Sequence, residues 1–174
     1  MNLKEADEIV SKIYASACSR CTKIEVAGSV RRRRSNPHDI DIVLIPENPL
    51  MWQYVVTTIA KTLETETQSS SILKMGSELV TIQVGKRDWL TVDYTVDVYR
   101  ATPETWGTIL LIRTGSKEHN IKLCVHAKTK GLMLSAARGV IKDGKVIASR
   151  TEEEIFEALN LPYRPPEERK GSPK

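Results

Sequence analysis

The feature that most constrains this chain is a pair of aspartates, Asp39 and Asp41, at alternate positions of an otherwise apolar segment that ends at Pro46. The apolar residues predict a strand over this segment, and alternate strand residues share one face, about 7 Å apart. Two carboxylates side by side on such a strand repel one another and are costly to remove from water. A divalent cation held between them relieves both costs, and oxygen ligands of this kind suit Mg²⁺ or Mn²⁺.

A glycine–serine turn and a basic run precede the two acids. Gly28-Ser29 is followed eleven residues on by Asp39, with four arginines, 31–34, in between. Hydroxyl and guanidinium groups at this position suit the phosphates that a divalent metal carries. Together with a net charge of +4, these groups indicate nucleotidyl transfer. The alternative is an exposed edge strand whose acids and arginines are simply solvated.

Length and composition limit the number of domains and the location of the protein. A length of 174 residues allows one domain or two small ones, and no apolar run is long enough to cross a membrane. The first residues do not resemble a signal peptide. Three cysteines cannot all pair, so we expect a reducing compartment and a cytoplasmic location. Cys18 and Cys21 form a C-x-x-C that no second pair completes, so two ordinary thiols are favoured over a zinc or redox site.

Periodicity predicts the elements of a first domain, over residues 1–101. Apolar residues at helical spacing predict a helix from Leu3 to about Ala17 and another over 50–66. Strands are predicted over 23–29, 39–46, 72–75, 79–84 and 89–98, with a polar loop at 68–71. A strand, a helix and then a run of strands predict an α+β domain with a mixed sheet and flanking helices.

The second domain, over residues 102–174, is predicted to be smaller and mostly helical. Helices are predicted from Thr102 to Arg113, over 117–130 and after Thr151, and a β-hairpin over 140–149 is predicted to turn at Asp143-Gly144. Residues 161–174 are rich in proline and charge, so we expect an extended tail there.

Metal-assisted phosphoryl transfer usually needs a third acid, which completes the site and faces the attacking hydroxyl. The end of the first domain offers Asp88, Asp93 and Asp97. Asp93 and Asp97 have the same strand parity, so periodicity does not choose between them.

The order of these motifs resembles that of the family X DNA polymerases. The residues that carry the resemblance are Gly28-Ser29-Val30-Arg31-Arg32, Asp39-Ile40-Asp41, Val96-Asp97-Val98 and Thr114-Gly115-Ser116-Lys117-Glu118-His119-Asn120. The end of the chain, from Gly144 through Thr151 to Pro165-Pro166, is especially similar to bacterial members. The resemblance covers residues 28–169, nearly the whole chain.

The resemblance implies a nucleotidyltransferase-type palm domain, followed by a helical domain that holds the nascent base pair. It assigns the third acid to Asp97, because the spacing from Asp97 to Thr114 fits the family. The implied catalytic residues, and the ligands of two Mg²⁺ or Mn²⁺ ions, are Asp39, Asp41 and Asp97. The implied nucleotide-binding residues are Gly28, Ser29, Arg32, Thr114, Gly115 and Asn120. Candidate contacts with DNA or nucleotide are Arg31, His38, Arg113, Lys117 and His119, of which His119 is equally compatible with a half-buried position.

The implied function is a template-directed DNA polymerase that adds deoxynucleotides to a primer 3′-hydroxyl and fills short gaps during DNA repair. Its partners would be primer-template or gapped DNA and a deoxynucleoside triphosphate, and we expect a monomer that binds no membrane. Two alternatives stay open: a small nucleotidyltransferase with another acceptor, and a module that binds DNA gaps or ends. We expect a bacterial or viral source, and a chain without the lyase and phosphoesterase domains that many relatives carry.

Several positions depart from the family pattern. Ile112 and Arg113 replace an aromatic pair that packs against the nucleotide sugar, so we expect weaker discrimination against ribonucleotides. Cys124 stands where several members have an arginine that touches the template strand, and His38 stands where relatives often have a glycine.

Overall fold

The computed structural model describes residues 1–67, 70–85 and 92–169, without the side chains of 66, 67, 92 and 93. The chain divides into two compact units, Met1–Arg100 and Ala101–Lys174. Predictions that concern Gln68, Asp88 and Trp89 lie outside the described residues, and so does the side chain of Asp93.

The first unit is a five-stranded sheet with two long helices. Its elements are α1, Leu3–Ala17; β1, Cys21–Val26; the short helix α2, Gly28–Arg31; β2, Asp39–Pro46; α3, Trp52–Thr67; β3, Ser70–Met75; β4, Leu79–Gly85; and β5, Val92–Arg100. The strand order is β1-β2-β5-β4-β3, in which β2 and β5 run parallel and the other neighbours antiparallel. This mixed sheet with flanking helices confirms the predicted fold class.

The core of the first unit lies between one face of the sheet and the helices α1 and α3. Its fully buried residues include Ile13 of α1, Ile40, Ile42 and Leu44 of β2, and Ile59 of α3. Full burial of side chains of this size contributes about 1.5–3 kcal/mol each. Because side chains alternate along a strand, this packing turns Asp39 and Asp41 to the opposite face.

The second unit packs three helices with a three-stranded antiparallel sheet. Its elements are α4, Trp106–Thr114; α5, Lys117–Thr129; β6, Met133–Ser135; β7, Gly139–Lys142; β8, Lys145–Ala148; and α6, Glu152–Ala158. The strand order is β6-β7-β8. The core draws on the helices and the sheet, with Leu111, Leu123, Val140 and Ile155 among its buried residues. None of the described helices is both long and apolar enough to cross a membrane.

Local sequence signals place many of the element ends correctly. The β7–β8 hairpin turns at Asp143 and Gly144, as predicted, and their φ values of 48° and 77° are the positive values that a two-residue hairpin turn requires. Thr151 caps α6, and its side chain accepts from the Glu154 N–H. Ser70, predicted to lie in a loop, instead begins β3.

The structure differs from the predicted elements of the second domain at three places. α4 begins at Trp106 rather than Thr102, because residues 102–105 form a turn in which the Thr105 N–H donates to the Thr102 carbonyl. The sequence does not predict β6, since three residues are too short to show a period. The predicted tail contains a 3-10 turn at Pro166–Glu168, followed by a fully buried Arg169.

Candidate active site

The two predicted acids of β2 lie beside the last strand of the first unit. In the parallel β2–β5 pair, Asp41 is the register partner of Asp97, and Asp39 is the partner of Thr95. Neighbouring strands lie about 4.8 Å apart, and register partners point to the same face. Asp39 is exposed, whereas Asp41 and Asp97 are half-buried. The three predicted metal ligands therefore share the face of the sheet that is turned away from α1 and α3.

The carboxylate of Asp97 is held by two hydroxyl groups. Thr81, the register partner of Asp97 on β4, donates through Oγ1 to Oδ1 at 2.7 Å. Tyr99, two residues further along β5, donates through its phenol to Oδ2 at 3.3 Å. Asp97 is thus the middle of a row across three strands that runs from Asp41 to Thr81.

The three acids fit a divalent cation by their chemistry. Carboxylates gathered on one face supply the oxygen ligands that Mg²⁺ and Mn²⁺ prefer. With the side chains as they stand, however, no group of three or more His, Cys, Asp or Glu among residues 1–67, 70–85 and 92–169 is arranged to hold an ion.

The glycine–serine turn lies directly against Asp41. β1 ends at Val26, earlier than predicted, and Gly28–Arg31 form a helical turn instead of continuing the strand. The Ala27 N–H donates to the carbonyl of Asp41 at 2.7 Å, which fixes the start of this turn. Gly28 is buried and has a φ of +59°, a left-handed conformation that glycine adopts without strain.

Ser29 and Arg32, the predicted phosphate contacts, occupy this turn. Ser29 Oγ is shielded from solvent and has no hydrogen-bond partner among the described residues. A buried hydroxyl without a partner is uncommon, since it loses its hydrogen bonds with water. Arg31 and Arg32 are half-buried, and Arg33 Nη1 contacts both carboxylate oxygens of Asp7 at 2.9 Å, which ties the turn to α1.

The structure gives less information about the remaining candidate residues of the first unit. His38 is exposed, one residue before Asp39. Asp88 lies outside the described residues, and of Asp93 only the backbone is described. The register nevertheless favours Asp97 as the third acid, because Asp93 precedes Thr95, the first residue of β5 that pairs with β2.

The predicted nucleotide contacts of the second unit lie at the junction of α4 and α5. Thr114 ends α4, Gly115 follows it with a φ of 58°, and both are buried. Ser116 caps α5, and its Oγ accepts a backbone hydrogen bond within the first turn at 3.3 Å. Asn120 Nδ2 donates to the carbonyl of Ile112 at 2.8 Å, so Asn120 joins the two helices.

The other candidates of the second unit differ in exposure. Arg113 and Lys117 are exposed. His119 is only 4 % exposed and packs beside the ring of Phe156, so its side chain lies in the core rather than on a surface. Burial, with the nearby Arg169 guanidinium, lowers the pKa of His119 to about 4 and keeps the ring neutral near pH 7. A DNA contact through this ring is therefore not supported by its placement.

Arg169 is a residue that sequence reasoning missed, and its side chain is completely buried. Its Nη1 contacts Glu152 Oε1 at 2.6 Å, and its Nε donates to the carbonyl of Arg164 at 2.8 Å. The guanidinium also lies over two aromatic rings. The Arg169 carbonyl accepts from the Ser116 N–H at 3.3 Å, so the end of the chain secures the junction of α4 and α5.

Comparisons with known proteins give consistent results. Residues 109–170 match the family model described as DNA polymerase beta thumb. The chain is 28 % identical over 160 residues to the DNA polymerase/3'-5' exonuclease PolX of Bacillus subtilis (strain 168), covering 91 % of this chain and 26 % of that protein. It is 39 % identical over 85 residues to DNA polymerase lambda of Rattus norvegicus, covering 42 % of this chain and 15 % of that protein.

A solved structure has a similar fold. The crystal structure of Leishmania infantum polymerase beta, described as a ternary P/T complex, matches with a TM-score of 0.73 at 20 % sequence identity, covering 98 % of this chain and 77 % of that one. At this identity the likeness concerns the fold alone. The chain spans about a quarter or less of the length of the curated relatives that it matches.

Proposed function

The chain belongs to DNA polymerase family X, and on that premise we propose that it is a template-directed DNA polymerase that adds deoxynucleotides to a primer 3′-hydroxyl. The observation that carries the proposal is the register of β2 and β5, which makes Asp41 and Asp97 neighbours with Asp39 on the same face. The glycine–serine turn packed against Asp41 supports it further, because a phosphate-binding turn must lie close to the metal ligands.

The α2 turn would hold the triphosphate of the incoming nucleotide. Ser29 Oγ, which has no partner among the residues that the structure describes, would gain one by donating to a phosphate oxygen. The guanidinium of Arg32 would form charge-assisted hydrogen bonds with the β- and γ-phosphates. A bound phosphate therefore satisfies a hydrogen-bonding requirement that the protein leaves open at Ser29.

Two Mg²⁺ or Mn²⁺ ions held by Asp39, Asp41 and Asp97 would supply charge neutralisation and activation of the primer hydroxyl. Asp97 would face that hydroxyl from β5, while the α2 turn holds the phosphates from the side of Asp41. The contribution of the chain is then to place the reacting groups in line and to present preorganised charge.

The second unit would bind the nucleotide and the DNA. Thr114, Gly115 and Asn120 would contact the incoming nucleotide, and the exposed Lys117 would contact DNA phosphates. A net charge of +4 favours a polyanionic partner. The protein would act as a monomer on short gaps during DNA repair. A cytoplasmic location would agree with its three free cysteines.

Extension of a labelled primer on gapped DNA tests this proposal. We expect additions that follow the template base, require Mg²⁺ or Mn²⁺ and are lost in Asp41→Asn. Glu8→Gln, a change at an exposed acid of α1, is the matched control and should leave the activity intact. Binding to gapped DNA should also weaken steeply as salt rises, because released counterions drive it.

Other outcomes of the same experiment would replace the proposal. Binding to DNA gaps or ends without any synthesis would identify a binding module. Nucleotide transfer to RNA, protein or a small molecule, without DNA synthesis, would identify a nucleotidyltransferase with another acceptor. A DNA-binding constant that hardly changes between low and physiological salt would count against a nucleic-acid substrate.

A further inference from the structure

We propose that Thr81 is a positioning residue whose hydroxyl sets the orientation of the Asp97 carboxylate, and thereby its affinity for a divalent cation. This inference rests on the proposed role of Asp97 as a metal ligand. Thr81 lies directly opposite Asp97 in the antiparallel β4–β5 pair and is half-buried. Its Oγ1 donates to Asp97 Oδ1 at 2.7 Å, which is shorter than the contact that the Tyr99 phenol makes with the same carboxylate.

The hydrogen bond from Thr81 is compatible with metal binding. A carboxylate has about four lone-pair sites, so one hydroxyl donor on each oxygen leaves positions for a cation. Hydrogen bonds to a ligating carboxylate fix its orientation, and losing them typically lowers metal affinity or activity about 10- to 100-fold. Without the Thr81 hydroxyl, repulsion from the neighbouring carboxylate of Asp41 would have more influence on the orientation of Asp97.

The fold does not require a hydroxyl at position 81. Valine is β-branched like threonine, has nearly the same shape and is favoured in strands. Thr81 also lies on the polar face of the sheet, outside the core that the helices cover. Replacing its hydroxyl with a methyl group therefore removes the contact with Asp97 and leaves the backbone pairing of β4 in place.

Tyr99 supplies the second and weaker contact. Its phenol lies 3.3 Å from Asp97 Oδ2, which is long for a hydrogen bond between a hydroxyl and a carboxylate. The ring itself is buried, so Phe at this position should keep the packing. We therefore expect Tyr99→Phe to weaken metal binding less than Thr81→Val does.

Mn²⁺ binding to the protein without DNA, measured by electron paramagnetic resonance of the free ion, tests this inference independently of polymerase activity. We expect Thr81→Val to weaken Mn²⁺ binding at least about tenfold, and Thr81→Ser, which keeps the hydroxyl, to stay within about threefold of the wild type. Thr81→Ala, which also lacks the hydroxyl, should match Thr81→Val. Thr22→Val is the matched control, since its hydroxyl contacts the Ile45 carbonyl at the other end of β2, and it should bind Mn²⁺ as the wild type does.

A double-variant comparison separates an effect through Asp97 from any other. In an Asp97→Asn background, Thr81→Val should add no further loss, because both changes act on one interaction. The inference is overturned if Thr81→Val weakens Mn²⁺ binding equally in the wild type and in the Asp97→Asn variant. It is also overturned by unchanged Mn²⁺ binding in a Thr81→Val protein that unfolds like the wild type.

Two further outcomes separate this inference from the proposed function. If Asp97→Asn itself leaves Mn²⁺ binding unchanged, the inference and the proposed metal site fail together. If Mn²⁺ binding changes as expected but the wild type makes no DNA, the inference stands and the proposed activity alone fails.

Discussion

A Cβ atom placed on Gly28 would lie 2.8 Å from Cγ of Asp41 and closer still to its Oδ2, so the glycine leaves space that this carboxylate fills. The φ of +59° at Gly28 adds a second requirement, because residues with a Cβ are strained in that conformation. The turn that would hold phosphate and the strand that would hold metal are thus fitted to one another through a single pair of residues.

Gly28→Ala should therefore disturb the acid site as well as the turn. The added methyl group must displace Asp41, and a small misplacement of a reacting or binding group can cost about a hundredfold in rate. Alanine in the left-handed conformation should also lower the free energy of unfolding by roughly 1–3 kcal/mol. Primer extension and thermal unfolding measure the two effects.

The matched control for this change is Gly131→Ala. Gly131 also has a positive φ, +69°, but a Cβ atom placed there has no neighbouring atom within 4 Å. The control should share the conformational cost and keep full activity. If the two alanine variants are equally active, the fit between Gly28 and Asp41 does not matter for function.

Asp97→Asn should cut DNA synthesis at least about a hundredfold, the scale of losing one strong electrostatic group at a transition state. The fold should stay intact, because asparagine has the same shape and Asp97 lies on the polar face of the sheet. Asp93→Asn is the comparison, since Asp93 precedes the part of β5 that pairs with β2. Loss of synthesis in Asp93→Asn but not in Asp97→Asn would mean that the third acid has been assigned wrongly.

Arg169→Met should destabilise the second unit strongly, although the sequence predicts an extended tail there. The change removes the guanidinium that pairs with Glu152, which is 4 % exposed, and removing one partner of a buried ion pair costs about 3–5 kcal/mol. Arg33→Met is the control, because the Arg33–Asp7 pair is exposed and pairs of that kind contribute about 0–1 kcal/mol. Urea unfolding measures both variants, and similar losses would refute the structural role of the buried pair.

The regular elements could be predicted because their periodicity reflects one buried face. α1 and β2 have the predicted bounds, since their apolar residues recur at the spacing that faces a shared core. α2 could not be predicted in this way. Its four residues contain no repeated apolar position, and its conformation depends on the contact between Gly28 and Asp41, which are distant in sequence.

The candidate site could likewise be predicted only where its arrangement follows from local sequence. Strand parity alone predicts that Asp39 and Asp41 share a face, but the partnership of Asp41 with Asp97 depends on the parallel register of β2 and β5. The burial of His119 and Arg169 likewise arises from contacts between segments far apart in the chain. Charged and polar side chains are mostly exposed, so the local pattern contains no signal for these exceptions.

Protonation of His119 should make the second unit less stable in acid. Burial and the Arg169 guanidinium lower the pKa of His119 to about 4, whereas the ordinary value is 6.5. Between these values the unfolded chain binds more protons than the folded chain, so the free energy of unfolding falls as the pH drops from 6.5 towards 4. Above pH 6.5 the ring is neutral in both states, so its stabilising contribution is fully present there and does not change further.

Urea unfolding of the wild type and of His119→Gln, at a series of pH values from 4 to 7, tests this pH dependence. Glutamine does not titrate and the other groups are common to both proteins, so the wild type should lose about 3 kcal/mol more than the variant over this range. Nuclear magnetic resonance titration of the His119 ring gives a second, direct measurement. Parallel pH profiles for the two proteins, together with a ring that titrates near its ordinary pKa, would mean that the buried cluster around Arg169 does not hold this histidine neutral.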